Sequence, residues 1–325
     1  MNLFGPFIQV GRYSGMAERL KAGVMAPSMA VPVLRLAQLI EREETTLIHA
    51  NGLKASILTC FLAPLVRAPI LWHVHDFLRA RRFHELFVLL GEIVPDAVLV
   101  NSHAVAEDFF GNRKVIVVHN GVDLSRFSPA EKSSSDDPSL KVGMIGALAP
   151  WKGQHLFIQA AKQVSERVGN VKFLIVGDEI YDTSGHRGYK EELQRLAGSL
   201  GIESQVVFTG FQHDVARVIG SLDLVVHCSL EPEPFGRVIV EAMACGQPVI
   251  AAKAGGVLEI IEDGVTGILV APGDVSSLAD AMCSLLGNEA KRDAIGQAAR
   301  KRMERSFTLE DQVKRVESLY ESLLK

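Results

Sequence analysis

Two carboxylates, Glu233 and Glu241, stand eight positions apart in "EPEPFGRVIVEAMACGQPVIAA", residues 231–252, around a Phe-Gly turn and an apolar helical pattern. "LVVHCS" reads as a buried strand, "LEPEP" as the loop at its carboxyl end, and a helix is expected to start near Phe235 to Arg237. The free amides of such a helix start suit an anion such as a diphosphate, and Gly236 permits close approach. Glu233 beside that anion would be repulsive unless it accepts ligand hydroxyls or steadies a transient positive charge. Sugar hydroxyls and an oxocarbenium-like centre fit both. Glu241, one turn beyond Arg237, can reach a ribose hydroxyl or simply pair with that arginine. Glu231 and Glu233 could together hold a metal, but no Asp-x-Asp stands elsewhere in the sequence to help with a metal diphosphate, and no metal is expected.

Two further stretches carry candidates. "VGMIGALAPWKGQHLFIQAA", residues 142–161, reads as strand, glycine turn at Gly146, and amphipathic helix with Lys152 at its start. A lysine there opposes the helix dipole unless an anion lies between them, which points to a phosphate contact; a solvated loop lysine fits equally. "ILWHVHDF", residues 70–77, ends a buried strand in His73, His75 and Asp76. Alternation puts both histidines on one face, with His75 projecting from the strand's carboxyl end. Without a third ligand, a structural or single-histidine catalytic role is preferred over a metal.

These residues need a frame. Short Val, Ile and Leu runs alternate with helical patterns, the mark of parallel sheets covered on both faces. Strands are expected at residues 46–50, 69–74, 97–101, 115–118, 141–145, 172–176, 206–209, 224–228 and 248–252. "SPAEKSSSDDPSL", residues 128–140, has linker composition. The expected fold class is therefore α/β, with two doubly wound Rossmann-like domains facing a cleft. The divisions are residues 1–128, a linker at 129–140, a ligand-binding domain at 141–307, and a closing helix at 308–325 with Thr308 as N-cap.

Composition excludes several classes. The 325 residues, 48% hydrophobic, are enough for two cores, and a net charge of -4 with 13 Lys and Arg against 11 Asp and Glu up to residue 129 argues against a nucleic-acid partner. Cys60, Cys228, Cys245 and Cys283 lack metal or disulfide spacing and read as small buried hydrophobes in a reducing compartment. The first fifteen residues lack a signal-peptide pattern, and the longest clean apolar run, Ala55 to Val66, is too short to span a bilayer. A cytoplasmic protein is expected. Lys54, Arg67, Arg79, Arg81 and Arg82 form a basic cluster that could touch a membrane face and reach a lipid acceptor, although a solvated surface is the preferred reading.

Together the three stretches resemble the retaining glycosyltransferases of family 4, with the GT-B fold. Glu233-Pro234-Phe235-Gly236 through Glu241 is similar to the family's E-x7-E signature. "AGGVLEIIEDGVTGILVAPGD", residues 254–274, "HNGVDLSRF", residues 119–127, and "FTGFQHDVARVIGSLDLVVHCS", residues 208–229, extend the resemblance. It implies transfer of a sugar from a nucleoside diphosphate sugar, UDP rather than GDP by a slight preference, to an acceptor hydroxyl of a glycan, lipid or small molecule, with retained configuration, no metal and no cofactor. It also implies Glu233 against the donor sugar, Glu241 on the ribose, and the amides from Phe235 and Gly236 to Arg237 and Val238 at the diphosphate. Gly146 and Lys152 would lie at the phosphates, the backbone around Phe211 near the base, and His75 at the reacting centre.

Two departures accompany it. Gly146-Ala147 stands where the family has Gly-Arg, so one cation is missing, and Arg237 is the candidate substitute. "GRYSGMAERLKAG", residues 11–23, is a distorted remnant of the glycine-rich acceptor loop, so the first domain is expected to be compact at its start or the start truncated. A binding module that keeps the nucleotide-sugar pocket is the alternative function. A sugar-nucleotide epimerase is disfavoured, because its carboxylate and histidine arrangement is not what these motifs resemble.

Overall fold

The computed structural model describes residues 30–79, 81–129, 138–179 and 188–325. Two compact units emerge, one formed by the chain up to His119 together with Val313–Lys325, the other by Asn120–Gln312. The glycine-rich front at residues 11–23 and most of the expected linker, residues 130–137, lie outside the described residues.

In the first unit, helix α1 (Ala30–Arg42) leads into β1 (Ile48–Asn51), α2 (Leu53–Leu62), β2 (Ile70–Val74), α3 (His84–Ile93), β3 (Ala97–Val100), the single turn α4 (His103–Ala106) and β4 (Val115–Val117). The strands are parallel in the order β1-β2-β3-β4. Sequence alternation assigns the two faces of the sheet. Ile70, Trp72 and Val74 join Ala50, Val98 and Val100 under Phe87 and Val88 of α3, with Leu53 and Cys60 of α2 packed alongside. Leu71, Ala97 and Leu99 look the other way, onto Leu319 and Tyr320.

The second unit holds β5 (Leu140–Ile145), α5 (Gln154–Ser165), β6 (Val171–Val176), α6 (Tyr189–Ser199), β7 (Val206–Gly210), α7 (Val215–Gly220), β8 (Leu224–His227), α8 (Arg237–Ala244), β9 (Val249–Ala252), the turn α9 (Val257–Ile260), β10 (Ile268–Val270), α10 (Val275–Leu286) and α11 (Glu289–Ser306). Its sheet is parallel in the order β10-β9-β8-β5-β6-β7. Helices cover both faces: Phe157, Leu193 and Met282 pack on one, and Ile219, Ile239 and Met303 on the other. The chain winds outward from β5 to β7, then returns to β8 on the other side of β5. This reversal makes the carboxyl ends of β5 and β8 a topological switch point, the place where such sheets open a ligand crevice.

The division between units differs from the expected one. Residues 120–128, expected in the first domain, pack with the second, where Val122 and Phe127 join Phe235, Met303 and Phe307 in the core. Val122 N donates to Phe307 O at 2.9 Å, and Leu309 N returns to Val122 O at 3.2 Å. Helix α12 (Leu309–Leu323) begins where expected, with Thr308 Oγ1 accepting from Asp311 N at 3.0 Å. From Val313 onward it belongs to the first unit. Strand β10 has no counterpart among the expected strands; its three residues follow Gly267 inside a turn-rich stretch whose composition hides them. All four cysteines are free thiols, with Cys228 and Cys245 buried.

Candidate functional site

The second unit's switch point is built by two loops that interlock through glycine. After β5, Gly146 takes φ +156, and a Cβ on Gly177, at the exit of β6, would lie 2.0 Å from the Gly146 carbonyl oxygen. The chain then forms one tight turn over Pro150–Lys152 before Gly153, at φ +85, opens α5. A Cβ on Gly153 would meet the Cys228 carbonyl oxygen at 2.2 Å, and Leu230 N donates to Trp151 O at 2.8 Å, so this turn is pinned to the exit of β8. Lys152 therefore sits at the end of a one-turn helix just ahead of α5 and not in the helix itself. Ala147, at the position of the missing cation, offers only its carbonyl, which accepts from the buried Gln154 Nε2 at 2.9 Å.

The pinning delivers Lys152 to Glu233. A single carboxylate oxygen, Glu233 Oε1, pairs with Lys152 Nζ, accepts from Ser229 Oγ at 2.8 Å, and lies 3.3 Å from His227 Nε2. Burial pushes this carboxyl up, but hydrogen bonding and charge from His227, joined by the Lys152 ammonium, outweigh it and hold the group well below the usual carboxylate range. Glu233 is thus an anion held through one oxygen, while the other has no side-chain donor among the described residues. Its backbone is fixed from the opposite side. Gly256 N donates to Glu233 O at 2.8 Å, and a Cβ on Gly255 or Gly256 would strike the carbonyls of Glu233 or Pro234 at 2.3 or 2.4 Å.

Helix α8 follows at once. Gly236, at φ +109, occupies its N-cap with no side chain to satisfy the first amides, and the first backbone bond inside the turn is Ile239 N to Gly236 O. The amides of Arg237 and Val238 precede that bond, so the start of α8 has no side-chain cap. Arg237 projects outward with its side chain 78% exposed and reaches the largely buried Glu241 Oε1 at 3.5 Å. Burial pushes the Glu241 carboxyl up, against the pull of Arg237 and Arg126. Phe235 differs from expectation: its ring is 2% exposed and packs near Phe307, so only its main chain faces the loop. Phe211 leaves β7 with an exposed ring set edge-on to His213 at 5.0 Å.

In the first unit, His75 lies just past β2, and its Nε2 donates to Asn51 Oδ1 at 2.6 Å while Asn101 Nδ2 donates to the His75 carbonyl at 3.1 Å. The expected sharing of a face by His73 and His75 is observed, with ring centroids 4.0 Å apart. His49 of β1 extends the column at 5.3 Å from His73 and meets the Tyr320 hydroxyl at 2.6 Å. Both nitrogens of the buried His73 lack a hydrogen-bond partner among the described residues. Burial, reinforced by His75 and His49, drives its pKa down to about 3. Burial also lowers His75, against the opposing charge of Asp76, which favours the neutral imidazole.

Sequence reasoning singles out neither His227 and Ser229 nor His49, Asn51 and Asn101. The first pair is legible as polar residues ending an apolar strand, four to six positions before a candidate carboxylate. The others depend on strands meeting in register, as Asn51 does opposite His73.

Two parallel-sheet α/β units, the first wound in one direction among its described strands and the second doubly wound, opening at a switch point lined by glycine turns, an anionic carboxylate and an uncapped helix start, define a GT-B protein. Residues 126–302 match the family described as Glycosyl transferases group 1, and residues 20–126 that described as Glycosyltransferase Family 4. The chain belongs to the group 1 glycosyl transferases. The crystal structure of Anabaena Alr3699/HepE in complex with UDP superposes with a TM-score of 0.84 and 32% identity, covering 91% of this chain and 83% of that one. A D-inositol 3-phosphate glycosyltransferase of Mycobacterium sp. (strain KMS) is 33% identical over 220 residues, 63% of this chain and 48% of its own length. A GDP-mannose-dependent alpha-(1-6)-phosphatidylinositol monomannoside mannosyltransferase of Mycolicibacterium smegmatis is 33% identical over 196 residues, 55% of this chain and 49% of its own. The match thus spans about half the length of these curated relatives.

Proposed function

We propose that this protein transfers a glycosyl unit from a nucleoside diphosphate sugar to an acceptor hydroxyl, with retained anomeric configuration and without a required metal ion. The observation that carries the reading is the Glu233 anion, gripped through one oxygen by Lys152, Ser229 and His227, immediately before the open start of α8. In this reading the free Glu233 oxygen takes donor sugar hydroxyls, and the amides from Gly236 to Val238 donate to the diphosphate. Lys152 turns from Glu233 toward the phosphates, leaving Ser229 and His227 to hold the carboxylate. Glu241 accepts from the ribose, and the chain at Phe211 flanks the base. The anomeric carbon's bond to the phosphate oxygen breaks, the acceptor oxygen bonds to that carbon on the same face, and the acceptor proton passes to the departing phosphate. Helix amides and Lys152 carry the leaving group's charge, the task a metal performs elsewhere. His75, kept neutral by burial and oriented by Asn51, is the catalytic candidate of the first unit.

UDP is the preferred donor nucleotide, supported by the UDP and UDP-glucose complexes of the Anabaena neighbour, with GDP as the competitor in view of the mannosyltransferase relative. Free thiols fit a cytoplasmic setting. Ala147, with no cation to offer the diphosphate, favours the second reading, a nucleotide-sugar-binding module. Calorimetric titration of UDP, GDP and ADP, then the matching sugar nucleotides, into wild type and Glu233→Ala in the presence of EDTA tests both. One nucleotide should saturate, with the sugar's added contribution lost in the variant. Absence of binding by every nucleotide overturns the transferase, and binding with no sugar transferred to any hydroxyl supports the module.

A further inference from the structure

Helix α11 carries two arginines, Arg300 and Arg302, that each close the carboxyl end of another helix. Arg300 Nη1 donates to Ala244 O, at the last residue of α8, at 2.6 Å and to Phe127 O at 2.8 Å, while its Nε donates to Glu304 at 2.7 Å. Arg302 does the same for α9. Its Nε donates to Ile260 O at 2.5 Å, its Nη2 to Glu259 O at 2.9 Å, and its Nη1 pairs with Glu262. The two side chains are 19% and 23% exposed, so both are held mostly out of solvent. Carbonyls at a helix end have no partner within the helix, and a single turn such as α9 is not stable alone, so Arg302 supplies its external anchor.

What rests on α9 is the loop that carries Glu233. Gly255, just before the turn, forms a parallel bridge with Glu233, and Gly256 N donates to Glu233 O. At the other end of the turn Ile260 is fully buried beneath Gly236, where a Cβ would lie 3.7 Å from the Ile260 Cδ1. A second line runs from the same guanidinium. Its carbon lies 5.7 Å from the centroid of the Phe307 ring, and that ring is tilted against Phe235, the residue before Gly236, at 6.2 Å. Arg302 therefore bears on Glu233 through the opening of α9 and on the start of α8 through both Ile260 and Phe235.

We propose that Arg302 is a positioning residue, which fixes the α9 turn against which Glu233 and the start of α8 are placed, and so sets the reach of the Glu233 carboxylate toward the donor sugar. The part that concerns the sugar rests on the proposed transfer, whereas the placement of the Glu233 main chain does not. The planar fork is what the role requires. A lysine keeps the charge but is a single point donor, and it cannot span the carbonyls of Glu259 and Ile260 and the Glu262 carboxylate at once. Arg300 is the internal control, since it makes the same kinds of bond from the same helix but grips α8 at the end remote from Glu233.

Arg302→Lys and Arg300→Lys are compared with wild type by thermal unfolding, by amide hydrogen exchange of the glycine-labelled full chain, and by calorimetry with UDP and UDP-glucose. Both variants should lose a similar few degrees in thermal midpoint. Only Arg302→Lys should speed exchange of the Gly256 amide, by about tenfold or more, because that amide is bonded to Glu233 O. Only Arg302→Lys should lose the added affinity of UDP-glucose over UDP, with UDP itself bound within about twofold of wild type; a general loosening of the fold weakens both ligands together. Equal Gly256 exchange in the two variants overturns the proposal, and so does a sugar contribution that Arg302→Lys retains in full. If wild type binds no nucleotide, or gains nothing from the sugar, the transferase or its donor is misread, and the Gly256 exchange alone upholds or overturns the role of Arg302.

Discussion

Gly255→Ala tests whether the second glycine loop places Glu233. At φ +64 an alanine there pays about 1 kcal/mol for the left-handed conformation. Its Cβ would lie 2.3 Å from the Glu233 carbonyl oxygen and 3.1 Å from its nitrogen, both backbone atoms that no rotamer can move aside. The Glu233 main chain must retreat by roughly 1 Å to restore ordinary contact, which adds about 1–3 kcal/mol of overpacking cost. A shift of roughly 1 Å in a positioned group costs about a hundredfold in turnover. Gly264→Ala supplies the control, since Gly264 has φ +76 but a methyl group there would meet nothing within 4 Å, so it bears the conformational cost alone. Thermal unfolding and sugar-nucleotide turnover are measured for both. Gly264→Ala should lose about 2–4 °C with normal turnover, and Gly255→Ala about two to four times that loss together with the fall in turnover. Equal turnover in the two variants refutes the claim that residues 255–256 position the carboxylate.

In the proposed transferase, Lys152→Met removes a charged partner from the donor phosphates and should raise the donor KM about tenfold or more, and because it also takes an ammonium from the largely buried Glu233 it should lower the thermal midpoint; an unchanged KM removes Lys152 from the site. Arg237→Ala should weaken donor binding if this exposed cation substitutes for the one missing at Ala147, and unaltered calorimetric affinity ends that idea. His73 makes acid destabilising. The folded state keeps it neutral down to about 3, whereas the unfolded chain takes up the proton below 6.5, so stability is full above that value and falls as pH drops toward about 3. Between about pH 7 and about pH 5 the loss is about 2 kcal/mol, read as a shift in urea midpoint that His73→Gln should largely remove.

Much of the frame is legible because parallel strands buried on both faces are written as unbroken apolar runs, as in "ILWHV" and "LVVH". The helix at Arg237 is legible from a glycine followed by an amphipathic pattern. What escapes depends on partners distant in sequence. Gly153, Gly255 and Gly256 are unremarkable until another loop's carbonyl occupies the space a side chain would need. Val122 and Phe127 follow β4 closely and are apolar, but nothing local tells which core receives them; the bonds to Phe307 and Leu309 decide it. In α2 apolar residues nearly encircle the helix, so periodicity cannot reveal that its serine and threonine point inward.

The crossing of α12 back to the first unit bears on how the protein is made. The second unit is continuous from Asn120 to Gln312, so all of it has been synthesised before Val313 leaves the ribosome. The first unit is interrupted, and one face of its sheet, with Leu71, Ala97, Leu99 and Val118, has no cover from Leu319 until about two hundred residues later. During that interval this face of the first sheet lacks its Leu319 contact, while the second unit already holds all the residues of its own core. Shortening α12 by its last turns would then damage the half of the protein that was translated first.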